Sequence, residues 1–492
     1  MAKDSIRAPP DLRPAFARFG AYAAMRDEPQ GDRPVSLSSM STAIKVVLTG
    51  AIALVLMIPV SMIRDLIAER QARRNEAVAG IALGWGQRQM LTGPFLSIPY
   101  ERSWVETTQE TVDGKSREKR IERSEWRVHR VPVESVEWSV DATTSEKARG
   151  IYKARLYTAR VKAQGKIVVA EQFGNGESGR IRWSAPRFVL GVADPRGIRS
   201  VAALSIGGEK VEFRPGTGDA ALASGIFAVL PNVLPDKPGT LDYELSLELA
   251  GAEAFAIAPL ARENAVAMRS DWPHPSFQGV FLPAKHDLGA DGFTAQWNVS
   301  RYAAQGGERL AACDRPNERG KVCAALTAQE LGISFVEPVG LYLRLERASK
   351  YGFLFIGLTF AAFMLLELFR RLPIHPVQYT LVGLALAMFF LLLTALSEHI
   401  AFALAYLAAT IACVGLIGAY VAYVLRSALA GFGFGAALGA LFGVLYMLLR
   451  AEDYALLAGS MLLFALLAGL MLATRKVDWY QITQRAPAPA PR

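Results

Sequence analysis

The chain has 492 residues, is 52% hydrophobic and carries a formal net charge of +9, a length with room for about three average domains. Residues 350–492 hold 9 Lys/Arg and 5 Asp/Glu, residues 64–349 hold 38 and 35, and the first 45 hold 7 and 5, so the charge is spread as +4, +3 and +2. The absence of a basic stripe excludes the nucleic-acid-binding class. The split composition excludes a single soluble globule or a fibrous or disordered chain, and three Cys exclude a disulfide-dense scaffold.

In chain order, residues 11–26 place Leu12, Phe16, Phe19 and Ala23 on one helical face, with Arg13, Arg18 and Arg26 elsewhere. That pattern fits an interfacial helix on an anionic inner leaflet and equally a disordered tail. Residues 46–63 are uncharged and as a helix reach about 27 Å, enough to cross a bilayer core. No small-x-small cleavage site ends the run, so it reads as an uncleaved anchor, with Pro59 near its outer end where a kink is tolerable. Ile67, Ala77-Val78, Ile81-Ala82 and Trp85 follow at helical spacing, with Arg70, Arg73, Arg74 and Glu76 on the wet side and Gly84 and Gly86 as the stop.

Beyond Pro94 the period changes to two. Val136, Trp138, Val140 and Ala142 alternate with polar residues; so do Leu241, Tyr243, Leu245, Leu247 and Leu249; and residues 294–302 form another such strand. Asp113-Gly114 lies between two charged strands, a hairpin signal for a solvated projection. Many short strands with Gly/Pro turns predict an all-β sandwich, in two packed halves.

Five apolar runs then follow at 351–369, 377–396, 400–425, 429–449 and 454–473, joined by short separators that make neighbours antiparallel. Arg370/Arg371, Arg426 and the Arg475/Lys476 tail alternate with Glu398 and with the Arg450/Glu452/Asp453 turn. The Lys/Arg bias places the first set in the cytoplasm. Arg344, Arg347 and Lys350 then flank the second span on the outer side, which long translocated domains allow. The expected fold is a mixed membrane protein: six transmembrane α-helices, one N-terminal and five C-terminal, and a large all-β, sandwich-like periplasmic domain. Its divisions are a cytoplasmic tail (1–45), the first span (46–63), the periplasmic domain with its initial helix (64–349), the five-helix bundle (350–473) and a cytoplasmic tail (474–492).

The chemistry-bearing patterns are sparse. The histidines are His129, His274, His286, His375 and His399. His274 and His286-Asp287 could meet, but no closed set of three or four metal ligands is visible, and Pro273-His274-Pro275 reads as a loop. No Gly-x-Ser-x-Gly elbow or Walker loop occurs, and Gly431-Phe-Gly-Phe-Gly435 lies inside a span without a preceding strand. No cofactor is implied. Gly431, Gly435, Gly439 and Gly443 instead predict a helix-packing seam, with a lipid groove or pore as the lesser reading. Gly383, isolated in the third span, is the expected benign control.

Cys313 and Cys323 bracket a polar turn and would pair in an oxidising compartment; Cys413 lies within a span as an apolar filler. Ionisable groups in or beside spans are functional suspects by default. Glu367 is the foremost, expected to pair with Arg370 or Arg371. Glu398 and His399 sit in one turn, where plain solvation is the alternative, and Arg450, Glu452 and Asp453 sit in the next.

Several ordered motifs resemble one family. They include Ile67-Ala-Glu-Arg-Gln-Ala-Arg-Arg74, Leu91-Thr-Gly-Pro-Phe-Leu-Ser-Ile-Pro-Tyr100 and Gly191-Val-Ala-Asp-Pro-Arg-Gly197. Trp272-Pro-His-Pro-Ser-Phe-Gln-Gly-Val-Phe-Leu-Pro283, Arg371-Leu-Pro-Ile-His-Pro-Val-Gln-Tyr379 and Leu449-Arg-Ala-Glu-Asp-Tyr454 continue the set. Together they resemble the bacterial inner-membrane CreD family, over about residues 42–480. The resemblance implies a Gram-negative inner-membrane protein linked to cell-envelope integrity, colicin tolerance and the response of a two-component system. It carries over no catalytic residue.

The leading expectation is therefore a non-enzymatic envelope-maintenance protein. Its partners are membrane lipids and an envelope component or protein still to be identified, with no nucleic acid and an open oligomeric state. The alternatives are a transporter or lipid-handling protein and a periplasmic hydrolase with an unrecognised site.

Overall fold

A computed structural model describes residues 42–112, 115–169, 179–233, 238–315, 318, 321–335, 340–370, 374–450 and 455–475. Helix α1 (Thr42–Val55) leads at Leu56 into α2 (Met57–Trp85). The break lies where Pro59 has no N–H for the carbonyl four residues back and its ring crowds that carbonyl. The apolar run does not end the helix near residue 63, because Ile67, Val78 and Ala82 keep a buried stripe through the charged stretch that follows. Gly86, at φ 140°, ends it; a Cβ there would lie 2.4 Å from the Ala250 carbonyl oxygen.

The strands follow. They are β1 (Gln89–Val112), β2 (Lys115–Pro132), β3 (Ser135–Arg149), β4 (Tyr152–Val169), β5 (Arg180–Trp183) and β6 (Arg187–Val192). Next come β7 (Ala203–Ile206), β8 (Glu209–Glu212), β9 (Arg214–Pro215), β10 (Gly225–Val229), β11 (Gly239–Ala252) and β12 (Ala254–Ala258). Last are β13 (Glu263–Ser270), β14 (Ser276–Gly279), β15 (Lys285–Gly289) and β16 (Gly292–Ser300). Short helices α3 (Arg301–Ala304) and α4 (Gly306–Ala312) precede β17 (Leu331–Ser334).

Two sheets result. One runs β14-β17-β12-β1-β6-β10-β9, with β2 and β5 also paired to β1; the other runs β15-β16-β13-β3-β4-β11-β7-β8. The pairs β1–β12 and β3–β13 are parallel. One cluster of buried side chains draws on both sheets, including Leu96, Phe188 and Phe255 from the first and Trp138, Leu247 and Trp297 from the second. The alternation read from the sequence sets which residues these are: Val136, Trp138, Val140 and Ala142 are buried while Glu137 and Ser139 are exposed. The strand expected through 302 stops at Ser300, where α3 begins, and Tyr302 is 80% exposed. β1 and β2 pair from Phe95↔Pro132 to Val112↔Lys115; the Asp113-Gly114 turn lies outside the described residues.

The C-terminal helices are α5 (Leu341–Lys350), α6 (Gly352–Arg370), α7 (Pro376–Ser397), α8 (Phe402–Val424), α9 (Ala428–Arg450) and α10 (Ala455–Thr474). Among the described residues, five helical stretches are long and apolar enough to cross a membrane: Ile44–Trp85, Leu341–Glu367, Pro376–Ser397, Phe402–Val424 and Ala428–Arg450. Within α10 the described apolar stretch is Gly459–Gly469. A second cluster joins Val60, Ile63 and Ile67 of α2 to Phe360, Phe390, Tyr406, Phe442 and their neighbours in the bundle.

Candidate functional site

Helix α2 joins the two halves. Val60, Ile63 and Ile67 pack into the bundle, and Val78 and Ala82 pack on Ala154, Leu156 and Ala252 of the sheets. The 11 positions between Ile67 and Val78 amount to about 16 Å of helix. Its far end is fixed by Trp85, which lies under Arg199 at 4.5 Å and donates its indole N–H to the Tyr157 carbonyl at 3.4 Å.

The bundle meets this mast at a polar junction. Glu398, just after α7, has a side chain only 8% exposed and lies 3.6 Å from the Arg70 guanidinium of α2. The Tyr342 hydroxyl of α5 donates to Glu398 at 3.1 Å. Tyr152, the first residue of β4, sits beside both Arg70 and Tyr342 and packs against the bundle cluster. Four elements thus contribute one side chain each. Plain solvation, the alternative left open for Glu398 in its turn, does not hold, because helices α2 and α5 cover it. Its neighbour His399 is exposed. Arg450 ends α9 exposed to solvent, while Glu452 and Asp453 lie outside the described residues.

At the other end of the bundle, Glu367 meets Lys45 of α1 at 2.8 Å and accepts the Tyr379 hydroxyl at 3.1 Å. This partner lies 322 positions away; Arg371 and the side chain of Arg370, with which a pairing was expected, lie outside the described residues. The pair ties α1, α6 and α7 together.

The glycine seam is shorter than its spacing suggested. A Cβ at Gly431 would meet Ala422 and the Gly418 carbonyl of α8, and one at Gly435 would meet Val414 and Gly418 at 3.7 Å or more. At Gly439 and Gly443 no described atom lies within 4 Å. A four-residue repeat drifts about 40° per step around the helix, so among the described residues the row leaves α8 after two glycines. The buried face of α9 continues instead through Leu438, Phe442 and Leu445. Gly383, expected to be benign, is the tighter site: its Cβ would lie 2.1 Å from Leu56 Cδ1 and 3.1 Å from Phe360 Cζ.

Within the β domain, Cys313 and Cys323 are joined, with Cα atoms 5.6 Å apart. The bridge sits in a small core with Phe95, Leu310 and Leu326. Arg309 underlies it, 7% exposed, donating to the carbonyls of Ala325, Pro259, Ala304 and Leu326; burial draws its guanidinium down to about 10. Next to it, Arg130 forks onto Asp219 at 2.6 and 2.8 Å and also bonds Asp314. Burial pushes the Asp219 carboxyl up, but Arg130, the Ala221 amide and the Ser97 hydroxyl outweigh it and hold the group below its ordinary range. These are structural clamps on the segment that carries the bridge.

The outer face of the second sheet holds a shallow trough of about 400 Å³ lined by Glu137, Ser139, Lys162, Gln164, Gln296 and Asn298. Ser139 and Lys162 are cross-strand partners, but both are exposed, whereas a lysine general base needs burial. His274 rests on Trp272 and His286 on Phe277. No group of three or more His, Cys, Asp or Glu among the described residues could hold a metal.

These features define a class: a multi-span membrane protein whose bundle carries a two-sheet β domain on a helical mast. The family described as inner membrane protein CreD matches residues 41–480, and the chain belongs to that family. The Escherichia coli (strain K12) protein named Inner membrane protein CreD is 34% identical over 433 residues, covering 88% of this chain and 92% of that protein. The chain is accordingly an inner-membrane protein with several membrane-spanning helices. A solved M1 zinc metallopeptidase from Deinococcus radiodurans overlaps 41% of this chain and 42% of its own at 9% identity, with a TM-score of 0.19. That likeness is too slight to bear on fold or chemistry.

Proposed function

We propose that this protein maintains cell-envelope integrity without catalysing a reaction. It presents its β domain, a sandwich of two sheets, on the periplasmic side of a six-span bundle to an envelope component or partner protein. The sixth span is α10, apolar along its 20 residues. The Cys313–Cys323 bridge fits an oxidising compartment. The observation that carries the reading is the Arg70–Tyr152–Tyr342–Glu398 junction, which holds the domain to the bundle as one displayed unit.

The test is complementation of a strain lacking the protein and sensitive to envelope stress. Glu398→Ala at normal abundance should fail to restore resistance, while Ser139→Ala and Lys162→Ala should restore it fully. Loss of function from either trough substitution at normal abundance would point to a hydrolase. The open glycine face beyond Gly435 favours the lipid-handling alternative, for which substrate-dependent transport in proteoliposomes is the decisive signal.

A further inference from the structure

Strands β3 and β4 extend past their sheet. β13 pairs with β3 only as far as Ala142, and β11 pairs with β4 only as far as Leu156. Beyond those points, among the described residues, the two strands continue as a two-stranded ribbon through Arg149↔Tyr152 to a turn at Gly150-Ile151. Such a ribbon is marginal in water by itself. Helix α2 supports one of its faces: Val78 and Ala82 pack on Ala154 and Leu156, Lys147 lies 5.5 Å from the Trp85 ring, and a Cβ at Gly80 would sit 2.8 Å from Arg149 Nη1. On the opposite face Ala148 and Lys153 are exposed.

The ribbon points at the bilayer. Helices α7 and α8 have 22 and 23 residues, which makes each about 33–35 Å long, close to a hydrocarbon core of about 30 Å. The turn between them, residues 398–401, therefore lies at the membrane surface. Glu398 in that turn holds Arg70 and Tyr342, and Tyr152 sits beside both. Tyrosine rings favour the headgroup level. From Tyr152, β4 climbs along the mast: Trp85, about 22 Å of helix beyond Arg70, donates to the Tyr157 carbonyl. The Gly150-Ile151 turn is thus set at the bilayer surface, and its chemistry fits that level. Turns favour Gly, Asn, Asp and Ser, yet Ile151 is apolar and 44% exposed. Residues 143–155 hold Lys147, Arg149, Lys153 and Arg155 against Glu146 alone, and Glu146 already lies 2.7 Å from Arg155 and 3.5 Å from Lys153.

We propose that the β3–β4 turn is a membrane-contact foot. Ile151 enters the headgroup layer of the adjoining leaflet, and the basic residues around it attract that layer's anionic phospholipids. An anionic bilayer surface draws such a tip in two ways, by burying its apolar group and by attracting Lys and Arg held within a Debye length. The foot gives the β domain a second support beside the mast and fixes its tilt over the bundle. The inference goes beyond the envelope role, because it depends on the level of the α7–α8 turn and not on what the β domain presents.

The full chain carrying Ile151→Cys is labelled with a nitroxide and reconstituted separately into phosphatidylglycerol and phosphatidylcholine bilayers. Collisions with oxygen, which concentrates in lipid, and with a water-soluble nickel chelate are read by power saturation. The reference is a label at Val201→Cys, which is 93% exposed and two residues past Arg199, whose guanidinium lies over Trp85 at the far end of the mast. In phosphatidylglycerol the Ile151 label should meet nickel several-fold less, and oxygen more, than the Val201 label. Phosphatidylcholine should weaken that contrast. Lys153→Gln should weaken it in phosphatidylglycerol and leave the phosphatidylcholine value unchanged. If the Ile151 variant does not fold, a label at Ala148→Cys takes its place and should show a smaller contrast of the same sign. Nickel access at Ile151 equal to that at Val201, protection from both reagents, which would mean cover by protein, or the same contrast in the two lipids would each overturn the proposal.

Discussion

Replacing Gly431 by Ala puts one methyl group where helices α8 and α9 touch backbone to backbone. The added Cβ would lie 2.4 Å from the Ala422 Cβ, 2.7 Å from the Ala422 Cα and 2.7 Å from the Gly418 carbonyl oxygen. Carbon atoms rest at about 3.5–4.0 Å, so the helices must part by roughly 1 Å; backbone atoms cannot turn aside as a side chain can. Gly439→Ala adds the same methyl on the same helix with no described atom within 4 Å. Both changes gain the same helix propensity, up to about 1 kcal/mol. Their difference therefore isolates packing, and overpacking costs about 1–3 kcal/mol. Gly435→Ala, with its nearest contact at 3.7 Å, should behave like Gly439→Ala. Unfolding in mixed micelles with rising sodium dodecyl sulfate measures all three. Equal stability of Gly431→Ala and Gly439→Ala would refute the account of the seam.

Gly383→Leu should destabilise more than Gly439→Leu in the same assay, because Leu56 and Phe360 already fill the space beside Gly383. Asp219→Asn should cost about 3–5 kcal/mol at neutral pH by breaking a buried pair. The native pKa of Asp219 is depressed, so its contribution is present above the unfolded value of about 3.9 and is lost as pH falls through the folded one; denaturant melts at pH 7 and pH 3 should show the gap between variant and wild type closing. Cys313→Ser with Cys323→Ser should lose about 3 kcal/mol by loop entropy, read as a lower denaturant midpoint for the non-reduced protein.

The sequence made the local features plain. Period-two alternation identified the buried residues of β3 and β11, and uncharged length identified the bundle helices, because both follow from neighbours along the chain. The CreD resemblance rested on contiguous motifs and was equally visible. Pairings across the fold were not. Lys45 and Glu367 are 322 positions apart, and Glu398 meets Arg70 only because α2 extends beyond the bundle. Helix α5 went unread because its Arg344, Glu346, Arg347 and Lys350 break the apolar run that signals a span. The glycine ladder was visible but overextended, since spacing alone does not say where a drifting row leaves its partner.

The central claim, that the β domain stands outside the inner membrane, is tested most directly at Val201, which is 93% exposed on that domain. Val201→Cys is treated with a membrane-impermeant maleimide in cells whose outer membrane alone has been permeabilised. The native cysteines stay silent, two in the bridge and Cys413 buried. Labelling of intact spheroplasts at the level reached after full lysis is the predicted result. Labelling that appears only once the inner membrane is broken would place the domain in the cytoplasm and contradict the account.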